Sequence, residues 1–179
     1  MKQAGFSLVE TLVAMAIGSI LILGTARMLP QMQYHNLRSL MQFQLVEEMQ
    51  QIMSILEKSV RRAGYCNGTC NGAGLTLLRT AATCLLVRWD DNSNGRWEEA
   101  SESEQYGFRL REGNLEAQRG VEDCQGGGWE KLNDPSVIVV EDFQIVQQAK
   151  QFHLTLKGSV RAFPHFPVTL ERWVTAVNL

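Results

Sequence analysis

Apolar residues fill the first membrane-length stretch of the chain almost without interruption. From Phe6 to Ala26 the only charged side chain is Glu10, and these 21 residues, at about 1.5 Å each in a helix, reach roughly 30 Å, the thickness of a bilayer's hydrocarbon core. The pattern predicts a transmembrane helix over 6–30. Leu37, Met41, Leu45, Met49, Ile52, Met53, Leu56 and Val60 then recur at spacings of three and four, with glutamines and glutamates between them. That period predicts an amphipathic helix over 31–63, its apolar stripe packed on a globular domain and its end marked by Arg61, Arg62 and Gly64. As one helix, 6–62 would be about 85 Å long. Pro30 is expected to interrupt it by removing a backbone donor, and Gly18 and Gly24 to weaken it.

The pattern changes at "GYCNGTCNGAG", residues 64–74, which is too rich in glycine to continue a helix. Short apolar runs follow, separated by turn clusters: 75–78, 84–89, 106–110, 115–119, 136–147, 152–163 and 168–177. They read as strands of an antiparallel sheet, and the Gly113–Asn114 pair suits a tight hairpin because both residue types tolerate positive φ. The fold class is α+β, with the amphipathic helix covering one face of a sheet-rich domain over 64–179. Trp89, Trp97, Trp129 and Trp173 are expected mainly in the core.

Charge and cysteine content narrow the setting. With 17 basic and 19 acidic side chains and a net charge of −2, the chain has no basic surplus to neutralise phosphates, so nucleic acid is not an expected partner. Four cysteines, Cys66, Cys70, Cys84 and Cys124, lie on one side of the apolar run, which suits disulfides in an oxidising compartment. Lys2 and the amino terminus form a small positive excess on the other side, orienting that end toward the cytoplasm. A secretory signal would carry its small-residue cleavage site after the apolar stretch. Here Ala4 and Gly5 come before it, so any cut there leaves the helix on the mature chain as an anchor.

Glu10 is the anomaly, since a carboxylate at the centre of a bilayer costs about 2.5–3.5 kcal/mol and calls for a partner or a task. The stretch "GFSLVETLVAMAI" resembles the class III signal and N-terminal helix of the type IV pilin and type II secretion pseudopilin superfamily. It combines a glycine, an aromatic residue and a glutamate five residues past the glycine within an apolar run. "RAGYC" and "WDDNSNGRW", with the chain length, are most similar to the larger minor pilins and J-type minor pseudopilins. The resemblance implies a pilin-like fold and a leader of residues 1–5, cut by a prepilin peptidase between Gly5 and Phe6, with N-methylation of Phe6. It implies that Glu10 pairs with the freed amino group of a neighbouring subunit. It also implies an inner-membrane, single-pass location with a periplasmic domain, and a place at a filament tip. The implied partners are other minor pilins or pseudopilins, the major pilin, the peptidase and an inner-membrane assembly platform.

Within the outer domain, Asp90, Asn92, Asn94 and Gly95 stand at positions 1, 3, 5 and 6 of a calcium-loop pattern, with Arg96 at 7 offering a carbonyl and Glu98 at 9. Position 12 is Ser101 instead of glutamate, although Glu99, Glu102 and Glu104 are near enough to substitute in another loop geometry. The same residue types also make solvated turns, and both readings stand at this point. Of the three pairings that four cysteines allow, Cys66–Cys70 with Cys84–Cys124 is favoured, because the first closes a small glycine-rich loop and the second ties a strand to a later loop. His35, His153 and His165 are scattered and complete no zinc set. No phosphate loop or nucleophile–histidine–acid order appears, so no enzyme activity is expected. The sequence reads as an assembly subunit: a minor pilin priming a type IV pilus, a J-type pseudopilin of a type II secretion system, or, from another class, a single-pass envelope binding domain.

Overall fold

The computed structural model describes residues 7–79, 83–98 and 104–179, apart from the side chains of Arg27 and Arg79. One helix, α1, spans Leu8–Arg62 and contains Pro30, so the interruption expected there does not end the helix. The chain divides into two compact units, Met1–Leu40 and Met41–Leu179.

In the first unit the described apolar side chains are exposed: Leu8, Leu12, Ile20 and Leu23 are all more than half exposed. Three hydroxyls in this stretch are satisfied by the helix itself. Thr11 Oγ1 donates to Leu8 O (2.8 Å), Ser19 Oγ to Met15 O (2.7 Å) and Thr25 Oγ1 to Leu21 O (3.1 Å). A segment that is apolar outside and internally hydrogen-bonded meets the condition for residence in hydrocarbon, where water cannot satisfy polar groups. Length and composition fit a membrane span.

In the second unit the remaining part of α1 buries Leu45, Met49, Ile52, Met53, Leu56 and Val60. Met41 is partly buried, whereas Leu37, the first residue of the expected stripe, is about half exposed. The strands form two antiparallel sheets where one was expected. The first, in the order β1-β2-β3-β4-β5, comprises Leu75–Arg79, Thr83–Arg88, Gln105–Arg111, Asn114–Arg119 and Glu130–Lys131. The second is β6 (Ile138–Gln148), β7 (Gln151–Val160) and β8 (Phe163–Thr175). Alternation fixes the inner faces: Leu85, Val87 and Phe108 from the first sheet, and Phe143, Ile145, Phe152, Leu154 and Leu156 from the second, join the helix in one apolar core. The model thus has the α+β arrangement read from the sequence.

Local departures have local causes. The β3–β4 turn is Glu112–Gly113, with φ of 50° and 75°, and Asn114 already belongs to β4. The expected hairpin is therefore displaced by one residue, because a glutamate adopts the left-handed position. The run 152–163 is two strands, broken at Arg161–Ala162, with Val160 pairing Phe163 across the turn. β5 is only two residues long, too short to leave a periodic signal. Of the tryptophans only Trp89 is in the core; Trp97 and Trp129 are half-buried and Trp173 is exposed.

Candidate functional site

Gly5 and Phe6 lie outside the described residues, and the first described turn of α1 begins just after them. Ser7 O accepts from the backbone N–H of Glu10 (3.0 Å) and of Thr11 (3.2 Å). Glu10 therefore stands in the first helical turn, where a negative charge complements the helix dipole. Val9, Val13, Ala14 and Ile17 surround it on the helix surface. The only acid of the apolar segment thus occupies the same end of the helix as the candidate cleavage site.

The Asp90–Glu98 segment is a self-bonded turn. Asp90, 1% exposed, accepts the backbone N–H of Asn94 on Oδ1 (3.0 Å) and those of Asn67 (2.9 Å) and Gly95 (3.0 Å) on Oδ2. Asn92 Oδ1 accepts from Asn94 N and Asn94 Oδ1 from Arg96 N, while the Asn94 amide donates to Glu98 Oε1. Burial pulls the pKa of Asp90 up, but the N–H groups of Asn67, Gly95, Asn94 and Ser93 prevail and hold it below the ordinary carboxylate value. Arg96 is exposed at the turn's edge, its Nε 4.0 Å from Glu98. Among the described residues no three acid, histidine or cysteine side chains converge as a metal set. The donor atoms of Asp90, Asn92 and Asn94, counted as calcium ligands in the sequence, all accept backbone N–H groups. Asp90 instead joins two loops, since it holds Asn67 of the disulfide loop against this turn. Their backbones approach so closely that a Cβ on Gly68 would stand 2.6 Å from Gly95 O.

The cysteines pair as Cys66–Cys70 and Cys84–Cys124. The second bond ties the loop after β4 onto the outer face of the first sheet. There Arg109 Nη1 donates to the carbonyls of Cys124 (2.7 Å) and Gly126 (3.2 Å), and its guanidinium lies 4.2 Å from the Trp129 ring. The run 126–129 seats Trp129 directly over Gly107.

Two arrangements escaped sequence reasoning. Asn133, 4% exposed, accepts the N–H of Leu115 and donates to Asn114 Oδ1 and Ile138 O, joining β4 to the start of β6. The polar cluster "NDP" that contains it reads only as a turn. The Arg109–Glu116 pair had no signal, because its partners meet only once β3 and β4 are in register.

Comparisons with known proteins extend this picture over the whole chain. A family model described as prepilin peptidase-dependent protein B matches residues 38–176, and one described as a prokaryotic N-terminal methylation motif matches residues 1–26. The chain is 40% identical to prepilin peptidase-dependent protein B of Escherichia coli strain K12, over 99% of this chain and 98% of that one. No solved structure matches. The helix bearing Glu10, the disulfide-tied sheet domain and these matches together place the chain in the family of prepilin peptidase-dependent protein B.

Proposed function

We propose that this chain is a minor pilin. A prepilin peptidase removes residues 1–5 on the cytoplasmic face, Phe6 becomes the N-methylated amino terminus, and the subunit joins other minor subunits in the inner membrane to prime a type IV pilus at its tip. The observation that carries this reading is the placement of Glu10: one carboxylate in the first turn of an otherwise uncharged apolar helix, within the segment matched by the methylation motif. The name of the Escherichia coli relative, which makes it dependent on the peptidase, supports the processing step. A freed amino group on a neighbouring subunit would compensate the Glu10 charge, and each group would be costly alone in hydrocarbon. The two disulfides suit a periplasmic outer domain. That domain would supply partner specificity without chemistry of its own. A J-type pseudopilin of a type II secretion system would use the same signal and helix, with other neighbours.

The test is intact mass and N-terminal sequencing of membrane-extracted protein from cells with and without an active prepilin peptidase. A mature chain starting at N-methylated Phe6 only where the peptidase is present supports the reading. A chain that keeps residues 1–5 in both cells overturns it and leaves a simple anchored binding domain. Crosslinking of the processed chain to minor pilins, or to pseudopilins, then separates the two machines.

A further inference from the structure

Behind the Asp90 turn two carboxylates meet, and among the described residues no basic side chain lies between them. Glu104 is 1% exposed. Its Oε1 accepts the backbone N–H groups of Asp91 (2.6 Å) and Asn92 (3.2 Å), whereas Oε2 is buried and no donor reaches it. Glu98 Oε1 accepts from the Asn94 amide, and its Oε2 is likewise buried without a donor. The two side chains are within hydrogen-bonding reach of each other. Acceptor oxygens in this position are destabilising unless a proton or a cation joins them.

The surroundings favour the cation. Asp90 and Asp91 add two more carboxylates, and Trp89 Nε1 donates to Asp91 Oδ1 across the same turn (3.0 Å). Arg96 approaches Glu98 at 4.0 Å, but its side chain is 79% exposed and does not enter between the acids. One shared proton would offset one charge of the Glu98–Glu104 pair, whereas a divalent ion offsets both. Carboxylate oxygens select hard ions, and calcium tolerates the irregular geometry that two glutamates from different parts of the chain present, while magnesium requires a near-octahedral shell.

We propose that Glu98 and Glu104 are the protein carboxylates of a calcium site that closes the Asp90 turn. Asp90 is then not a ligand but the anchor that positions the loop, and Glu104 takes the part of the missing position-12 glutamate. With only two protein carboxylates and the remaining shell left to water and carbonyls, the affinity falls in the weak range of extracellular modules, about 0.1–1 mM. The site is independent of whether the chain assembles into a filament.

The experiment uses the full-length protein in detergent, stripped with chelator and titrated with terbium(III). Trp97, next to Glu98 in the chain, and Trp89, bonded to Asp91, are the indoles that would sensitise its emission. Calcium should then compete at roughly 0.1–1 mM, and magnesium should not. Thermal melting should rise by about 3 °C at ten times the half-saturating calcium concentration. Glu98→Gln and Glu104→Gln should each lose both effects. In chelator Glu104→Gln should melt no lower than the unaltered protein, because it removes an uncompensated buried charge. Absence of a calcium-dependent melting shift in the unaltered protein overturns the proposal and leaves a shared proton. Calcium-competed emission that survives in Glu98→Gln also overturns it, by moving the metal elsewhere. If Glu104→Gln does not fold, Glu98→Gln and the titration of the unaltered protein decide alone.

Discussion

Arg109 and Glu116 face each other across β3 and β4 in direct register, with Nε 2.8 Å from Oε2 and both side chains about nine-tenths buried. The guanidinium is also held by two carbonyls of the disulfide-tied loop and by the Trp129 ring, so one buried ion pair fastens that loop to the sheet. Removing one partner leaves the other charge buried and unpaired, which costs about 3–5 kcal/mol. Glu116→Ala should therefore lower stability by roughly 3 kcal/mol in urea unfolding followed by tryptophan fluorescence. The double variant Arg109→Met with Glu116→Leu should recover most of that loss. If the double variant is no better than Glu116→Ala, the pair does not act as a charge unit.

Gly107 lies beneath Trp129, and a Cβ there would stand 2.7 Å from Trp129 Cη2 and 2.7 Å from Val121 Cγ2. Both obstacles are side-chain atoms that can move. Gly107→Ala should thus cost about 1–3 kcal/mol and shift Trp129 fluorescence to the red as the ring lifts off the sheet. Gly74 is the contrasting case, because its Cβ would stand 2.3 Å from Gly64 Cα. Backbone cannot give way as a ring can, so Gly74→Ala should be the more damaging of the two in the same unfolding assay. The reverse order would mean that the 120–129 loop is the more rigid element.

These contacts mark how far the sequence can be read. The helix and seven of the strands were legible because each repeats its apolar residues at the period of its own geometry, as Leu85, Val87 and Trp89 do at two and Leu45, Met49, Ile52 and Leu56 do at three and four. The favoured cysteine pairing rested on loop closure and not on strand order, and the bonds are Cys66–Cys70 and Cys84–Cys124. What stayed hidden depends on a partner distant in the chain. Asn133 looks like any turn residue until Leu115 and Ile138 come beside it. The candidate calcium donors were counted by spacing alone, and spacing does not reveal that the Asp90 oxygens accept N–H groups from Asn67, Asn94 and Gly95. Pro30, where the pattern predicts a kink or local loosening, lies inside the helix.

The β6 bulge supplies a pH prediction. Glu141 accepts from Ser159 Oγ (2.6 Å) and pairs with Lys157 Nζ (2.9 Å). First the hydroxyl and then the ammonium hold its pKa below the ordinary value of 4.5. A carboxyl with a lowered folded-state pKa binds its proton more weakly folded than unfolded. Its contribution is therefore complete above about pH 4.5 and is lost as pH falls through the lower folded value. Glu141→Gln should flatten the acid side of the melting-temperature profile below that pH and leave the slope at neutral pH unchanged. An unaltered acid limb would show that the pair with Lys157 adds nothing to stability, as many surface pairs do.

Glu10 provides the prediction that bears on assembly. Alanine is the better helix former and is apolar, so Glu10→Ala should insert in the membrane at least as well as the unaltered chain. If the carboxylate compensates the amino terminus of a neighbouring subunit, its removal leaves that ammonium alone in hydrocarbon. The loss of about 3 kcal/mol typical of a broken buried pair corresponds to association on the order of a hundredfold weaker. Membrane fractionation with crosslinking to other minor subunits measures the two quantities separately. The expected outcome is normal membrane abundance and processing with little crosslinked product, and Glu10→Asp should restore part of it because charge is kept while reach is shortened. Full crosslinking by Glu10→Ala would remove the charge pair from the assembly step and leave Glu10 a residue that only complements the helix terminus.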